Sequence, residues 1–321
     1  HHLNHTCAKL DLSDDPSYEQ RFKRAGRFGA HLNVRGPVLY KMLLDLALQL
    51  DVCIHWSHMF EGIDRISRHV FLKNLHTGST LSFQVDHLLI CDGANGTTAD
   101  KLEIGYSKKR KFMDFLSIEC TGSLASIIQD EAMMYWIYHE AMLACMVVYD
   151  LQKTQVLQIP LVSGVTASDF QGSSLRERFA SICSLPIDQV GHEFSVLGQW
   201  QLQTGIRMSA QVDDWIFILG DALHQVMPSG GMGLNTAFAD VHNLIWKLAS
   251  DSSGRYRQFS LTYEQERLEN SHNVLLQSEE NYNSFLALAR AMTLQPVFSV
   301  DEVAAGNTIF SGLAYYWLKG A

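Results

Sequence analysis

Short apolar runs alternate along the chain with turns rich in glycine and aspartate, and the spacing inside each run assigns its element. Trp215 to Leu219 are apolar, partly β-branched and aromatic, and stop at a glycine, which predicts a buried strand with Asp221 at its carboxyl end. From Asn235 onward Phe238, Val241, Leu244, Ile245 and Leu248 recur at helical spacing. That pattern predicts a helix capped by Asn235 that turns those side chains inward and leaves Asp240, Asn243 and Lys247 elsewhere around it. Pro37 to Leu50 predicts a core helix opened by proline, with Leu39, Leu43, Ala47 and Leu50 on one face. Asp51 to Trp56, His69 to Leu75 and Leu81 to Cys91 read as strands, the last two joined as a hairpin through Thr77-Gly78-Ser79. Alternating runs at Phe112 to Cys120, Met134 to His139, Ala144 to Tyr149 and Gln155 to Leu161 predict an antiparallel sheet. Ser174 to Cys183 reads as a helix and Thr262 to Ala291 as one or two long ones. Residues 1–33 are polar and weakly patterned, whereas Val297 to Ala321 is hydrophobic and aromatic and is expected to pack on the body or on a partner.

With 321 residues, 47% of them hydrophobic, the chain is long enough for a large core or two domains. A net charge of -9 argues against a nucleic-acid groove, and the short run Lys108-Lys109-Arg110-Lys111 reads as a solvated turn. Cysteines at 7, 53, 91, 120, 145 and 183 form no C-x-x-C pair, which fits reduced thiols in a cytoplasmic protein, with Cys53 and Cys91 in the core. Asn4-His5-Thr6 and Asn95-Gly96-Thr97 match the glycosylation triplet, but nothing resembles a secretory signal, and no apolar run approaches a membrane span. His1, His2 and His5 lack a cysteine or carboxylate at ligand spacing, and His55 and His58 would face opposite sides of a strand, so no metal site is expected.

The chemistry concentrates where the Trp215 strand meets its helix. A helix entered through Gly230, Gly231 and Gly233 offers free N–H groups and a positive dipole end to an anionic phosphate at close range. Asp221, nearby, accepts hydrogen bonds from hydroxyls, so a ligand carrying both phosphate and polyol is favoured.

The string around these residues resembles the second flavin-contacting motif of the FAD-dependent aromatic hydroxylases, the para-hydroxybenzoate and phenol hydroxylase group, whose pattern is G-D-A-A-H-x-x-P-P-x-x-G-x-G-x-N followed by D-x-x-N-L-x-W-K-L. Gly220, Asp221, Ala222, His224, Pro228, Gly231, Gly233, Asn235, Asp240, Asn243, Leu244, Trp246, Lys247 and Leu248 match it, while Leu223, Met227 and Ala237 depart from it. The resemblance implies that Asp221 holds the ribityl chain of FAD, and that Gly220, Pro228, Gly231, Gly233, Leu234 and Asn235 line the same cofactor. Asp92 and Gly93 match the start of the family's D-G-x-x-S-x-x-R motif, which serves FAD and the nicotinamide cofactor, but Gly96 and Ala99 replace its serine and arginine. Arg35, just ahead of the Pro37 helix, is the nearest counterpart of a polar residue that approaches the flavin.

The implied fold is α/β (α+β): an incomplete FAD-binding domain of the para-hydroxybenzoate hydroxylase type, an inserted antiparallel-sheet substrate domain, and C-terminal helices. The expected division is 1–103 and 211–295 for the FAD-binding parts, 104–210 for the substrate domain and 296–321 for the tail. The implied reaction uses NAD(P)H and O2 to hydroxylate an aromatic or polyketide-like small molecule, with no membrane span, no nucleic-acid partner and a homodimer allowed. No catalytic residue is assigned; Tyr135, Tyr138, His139 and His224 are the candidates, His224 in a structural role. The family's N-terminal G-x-G-x-x-G unit does not occur in the sequence. Two further readings therefore stay open: a flavin-free member of the family, either a non-redox enzyme on a similar substrate or a non-catalytic protein, and an incomplete fragment of an active enzyme.

Overall fold

The computed structural model describes residues 33–291 apart from 125–127, 129–131, 140–141, 162–165, 171–172, 184, 189–192 and 253–258. The N-terminal histidines and the tail from Val297 lie outside the described residues.

Helix α1 (Gly36–Gln49) opens with proline in its first turn, where the missing N–H has no intrahelical partner to lose. None of its residues is buried, so the expected core helix is a helix whose apolar face is uncovered among the described residues. Strands β1 (His58–Asp64), β2 (His69–Asn74) and β3 (Thr80–Gln84) form one antiparallel sheet. The strand expected at Asp51–Trp56 is absent, because Asp51 and Ser57 bracket the segment at φ 58, in the left-handed region, and no described strand pairs with it. After β4 (Leu88–Ile90) and the single turn α2 (Thr98–Lys101) come β5 (Tyr106–Thr121), β6 (Met134–His139), β7 (Met142–Asp150) and β8 (Thr154–Leu161). Helix α3 (Ser173–Ile182) leads to β9 (Glu193–Arg207), and then β10 (Gln211–Val212), β11 (Ile216–Ile218) and β12 (His224–Gln225) precede helices α4 (Met232–Ser252) and α5 (Tyr263–Ala291).

A six-stranded antiparallel sheet runs β12-β9-β5-β8-β7-β6. The lysine-rich run 108–111 lies inside β5, paired with β9, rather than in a turn, because a long partner strand satisfies its backbone. Alternation then sorts β5: Leu116, Ile118 and Cys120 are fully buried against Phe179 and its neighbours on α3, while Phe115, Ser117 and Glu119 face the other way. In the second core β4 and β11 pair in parallel, which splits the single strand expected at Leu81–Cys91 into two that serve different sheets.

Helix α4 departs most from its pattern. It starts at Met232, so Asn235 is not its cap; the Asn235 amide instead donates to the Gly231 carbonyl at 2.8 Å. Its buried residues are Thr236, Asp240, Leu244, Lys247 and Leu248, while Phe238, Val241 and Ile245 are exposed. Spacing alone cannot reveal this rotation, because it follows from ion pairs with α5 rather than from hydrophobicity. Cys53 and Cys91 are exposed rather than in the core, whereas Cys120 and Cys183 are buried.

Candidate functional site

One buried carboxylate organises the junction of strand, turn and helices. Asp240 Oδ2 accepts the Gly220 N–H at 2.9 Å and lies 2.7 Å from His224 Nε2, and Asp240 Oδ1 accepts Arg267 Nε at 2.6 Å. Burial alone would raise the Asp240 carboxyl, yet the bonds from His224, Gly220 and Arg267 hold it below the usual carboxylate range. Tyr263 at the start of α5 donates to the Ile218 carbonyl at 2.8 Å, so the end of β11 is clamped from both helices. Lys247, also buried, reaches Thr262 at 2.7 Å and Glu266 at 2.8 Å. Glu266 is held down at about 2, chiefly by hydrogen bonds from Lys247 and Asn243.

That clamp presents the turn. Gly220 leaves β11 at φ 59, and a Cβ there would sit 3.2 Å from the Ala237 methyl. The following Asp221 carboxylate is exposed, makes no hydrogen bond with any described residue, and is raised by the protein packed around it, with His224 opposing. A Cβ on Gly233, in the first turn of α4, would lie 3.9 Å from Asp221 Oδ1, so the absent side chain keeps the space beside that carboxylate open. Between them Gly230 (φ 101) and Gly231 (φ 63) carry the chain through the left-handed region. Pro228 and Leu234 flank the turn and are exposed, and the Asn281 amide on α5 donates to the Ser229 carbonyl at 3.3 Å.

The second predicted stretch lies alongside. Gln225 donates to the Ala94 carbonyl at 3.0 Å and to the Tyr106 hydroxyl at 2.8 Å, tying the loop after β4 to the motif. Gly93 is at φ 78. Asp92 Oδ2 accepts the Thr98 N–H at 3.0 Å, and a Cβ on Gly96 would come within 2.1 Å of the same carboxylate. Glycine at 96, in place of serine, is thus what lets Asp92 fold back over the loop.

Arg35 comes to the six-stranded sheet. Its guanidinium pairs with Glu119 of β5, and Asn33 just before it donates to the carbonyls of Met133 at 2.9 Å and Val148 at 3.0 Å. On the face beneath, Trp200 stacks on Phe115 with ring centroids 4.7 Å apart. Met227, from the motif, is buried against Leu202, Phe115, Trp200 and Tyr282, which joins the turn to this face. Glu119, Ser117, Gln158 and Trp200 were missed because they come from three strands; the signal available was polar residues at every second position of β5, opposite an apolar set.

The expected catalytic candidates whose side chains are described do not gather here. Tyr135 packs against the sheet's buried core and its hydroxyl accepts the Ala132 N–H at 2.9 Å. His224 is fully buried within the Asp240 clamp, and the side chains of Tyr138 and His139 lie outside those described. His55 and His58 meet edge to face at 5.7 Å because His55 lies ahead of the strand that begins at His58, and no cluster of three metal-ligating residues occurs among the described residues.

The sequence profile of the FAD-binding domain family matches residues 32–278. The chain belongs to that family. Within it the chain is 26% identical over 304 residues to the FAD-dependent monooxygenase apdD of Emericella nidulans, a match covering 83% of this chain and 45% of that protein. It is 34% identical over 89 residues to the 2,4-dichlorophenol 6-monooxygenase of Cupriavidus pinatubonensis, covering 27% and 15% respectively. In fold it is similar to aklavinone-11 hydroxylase, solved with FAD and aklavinone, with a TM-score of 0.72 and 19% identity over 89% of this chain and 55% of that one. The chain spans less than half the length of the curated relatives it matches, apdD included. The mixed α/β architecture is that of the family's FAD-dependent aromatic hydroxylases, and no helix among the described residues is long and apolar enough to cross a membrane.

Proposed function

We propose that this chain carries the ribityl- and isoalloxazine-facing half of a FAD site, together with the substrate-facing sheet, of an aromatic or polyketide monooxygenase. The observation that carries the reading is Asp221: an exposed carboxylate with no described protein partner, set against a glycine at the start of α4. A carboxylate so placed accepts hydrogen bonds from the hydroxyls of a ribityl chain, and the start of α4, whose first N–H groups have no intrahelical partner, lies beside it at Gly233. When bound there, FAD would pass two electrons from NAD(P)H to O2, so that one oxygen atom of O2 goes to the ring and the other leaves as water. Pro228, Gly231, Gly233, Leu234 and Asn235 shape the wall of that opening, and Gly220 sets the turn that aims Asp221 into it. Asp92 and Gly93 brace the adjoining loop, and Arg35 fixes the strap ahead of α1 to Glu119. Residues 104–210 then form the substrate side, where an aromatic ring would lie over Phe115 and Trp200. The names of relatives acting on chlorophenol and aklavinone support that substrate class. A cytoplasmic setting agrees with the free cysteines.

A flavin-free reading draws on Asp92, whose carboxylate is engaged by Thr98 rather than left open. Titrating FAD into the purified chain separates the two readings. Saturable quenching of flavin fluorescence, weakened about tenfold or more in Asp221→Ala, is expected from loss of a hydrogen-bonded charge worth roughly 1.5–3 kcal/mol. A folded chain that leaves FAD fluorescence unchanged contradicts the proposal.

A further inference from the structure

The open face of the six-stranded sheet carries one transverse row with a member from each of five strands. Trp136 pairs with Cys145, Cys145 with Gln158, Gln158 with Ser117, and Ser117 with Gly198. Residues directly opposite on neighbouring strands project from the same face, so these form a continuous strip. Along β8 Gln158 is the single residue between Thr154 and Pro160 that is not buried. It is a window in that buried stretch.

The Gln158 carboxamide has a fixed orientation. Oε1 accepts the Ser117 hydroxyl at 2.7 Å and takes the Trp200 indole N–H at 3.0 Å, the nearer of two acceptors that share it, Ser117 Oγ being the other at 3.2 Å. An indole nitrogen only donates, so the atom it meets must be the amide oxygen. Both acceptor sites of that oxygen are thereby used, and the NH2 end makes no hydrogen bond with any described residue. The strip around it is uncharged: burial pushes the Cys145 thiol up to about 12, and the space where a Gly198 side chain would stand is empty. Phe115, stacked on Trp200 with their planes 14° apart, supplies a flat aromatic wall nearby.

We propose that Gln158 anchors the carbonyl oxygen of a planar, polycyclic quinone or ketone, donating to it from Nε2. A neutral acceptor suits two N–H donors on an apolar strip. The charged pair two residues along the same face of β5, Arg35 with Glu119, is satisfied within itself, so among the described residues it leaves neither a spare cation for a ligand carboxylate nor an unengaged carboxylate for a ligand hydroxyl. The inference rests on the reading of this face as substrate-facing and makes its ligand class specific.

The test uses the purified chain without flavin and two probes that differ only in their carbonyls, anthraquinone-2-sulfonate and anthracene-2-sulfonate, with binding followed by calorimetry. The wild-type chain is expected to prefer the quinone by about tenfold, the effect of one buried hydrogen bond to a ligand. In Gln158→Glu the new carboxylate still accepts from Ser117 and Trp200 but has no N–H to donate, so this variant should abolish the preference by weakening the quinone alone. Equal affinity of the two probes for wild type, or a preference that survives in a folded Gln158→Glu chain, overturns the proposal. Should that variant fail to fold, the infrared carbonyl stretch of anthraquinone-2-sulfonate bound to wild type decides: a shift to lower frequency supports the anchor, and an unshifted band overturns it. Because no flavin is present, failure of FAD to bind leaves this inference standing, and FAD binding without quinone preference sinks it alone.

Discussion

The turn between β11 and α4 and the open face of the six-stranded sheet make opposite demands on a reader of the sequence. The turn is local: strand end, Asp221 and the glycines follow one another in the chain, so their chemistry can be read as a string. The sheet face is assembled from β5 through β9, with Ser117 and Gln158 brought together by strand pairing across 41 residues. A site built on a turn therefore reads from order alone, whereas one built on a sheet requires the register.

The clamp beneath the turn is where the comparison breaks hardest. Asp240→Asn removes the charge that Arg267 and His224 share, leaving a buried guanidinium without its counter-ion. A loss of about 3–5 kcal/mol in urea unfolding is expected, as for a buried pair stripped of one partner. The sign of the pH dependence follows from the lowered Asp240 carboxyl. Its contribution is fully present above the unfolded value of about 3.9 and is lost as pH falls through the lower folded value. The acid limb of the wild-type stability curve should therefore flatten in Asp240→Asn, and an unaltered limb would remove Asp240 from the centre of the clamp.

A smaller effect belongs to the loop that Gln225 ties to the turn. In Gly96→Ser the new Cβ displaces the Asp92 carboxylate, so the Thr98 N–H loses its acceptor. About 1–3 kcal/mol of stability should be lost, the cost of one unsatisfied buried donor, measurable as a lowered urea midpoint. No change would mean that Asp92 has another resting place, and that serine at this position is compatible with the loop.

Lys247→Met should have the smallest effect, within about 1 kcal/mol, although Lys247 is as buried as Asp240. Its partner Glu266 is half-exposed and stays solvated when the lysine is lost, and methionine fills the same channel. The Glu266 carboxyl, now at about 2, should move up toward the ordinary range in an NMR titration.

These variants also mark what the chain made legible. The β11 strand, the turn with Gly220, Asp221, Gly231 and Gly233, and the lengths of α1 and α5 followed from apolar spacing and glycine chemistry. The burial of α4 did not, because Asp240 and Lys247 face inward for their ion pairs while Phe238, Val241 and Ile245 stay exposed. Strand β9 was missed although its run Gln199-Trp200-Gln201-Leu202-Gln203 alternates cleanly, since glutamines at every second position mimic a loop. The Arg35–Glu119 pair needed the strap ahead of α1 to be placed over the sheet, which no local pattern encodes.

The central claim is that the described turn holds the ribityl half of the flavin, and riboflavin tests it most directly because it lacks the pyrophosphate and adenosine. Calorimetric titration of the chain should show riboflavin binding within about tenfold of FAD, and Asp221→Ala should weaken both in equal measure, since each presents the same ribityl hydroxyls to the same carboxylate. FAD binding that ADP displaces fully, that riboflavin cannot reproduce, and that Asp221→Ala leaves unchanged would contradict the account.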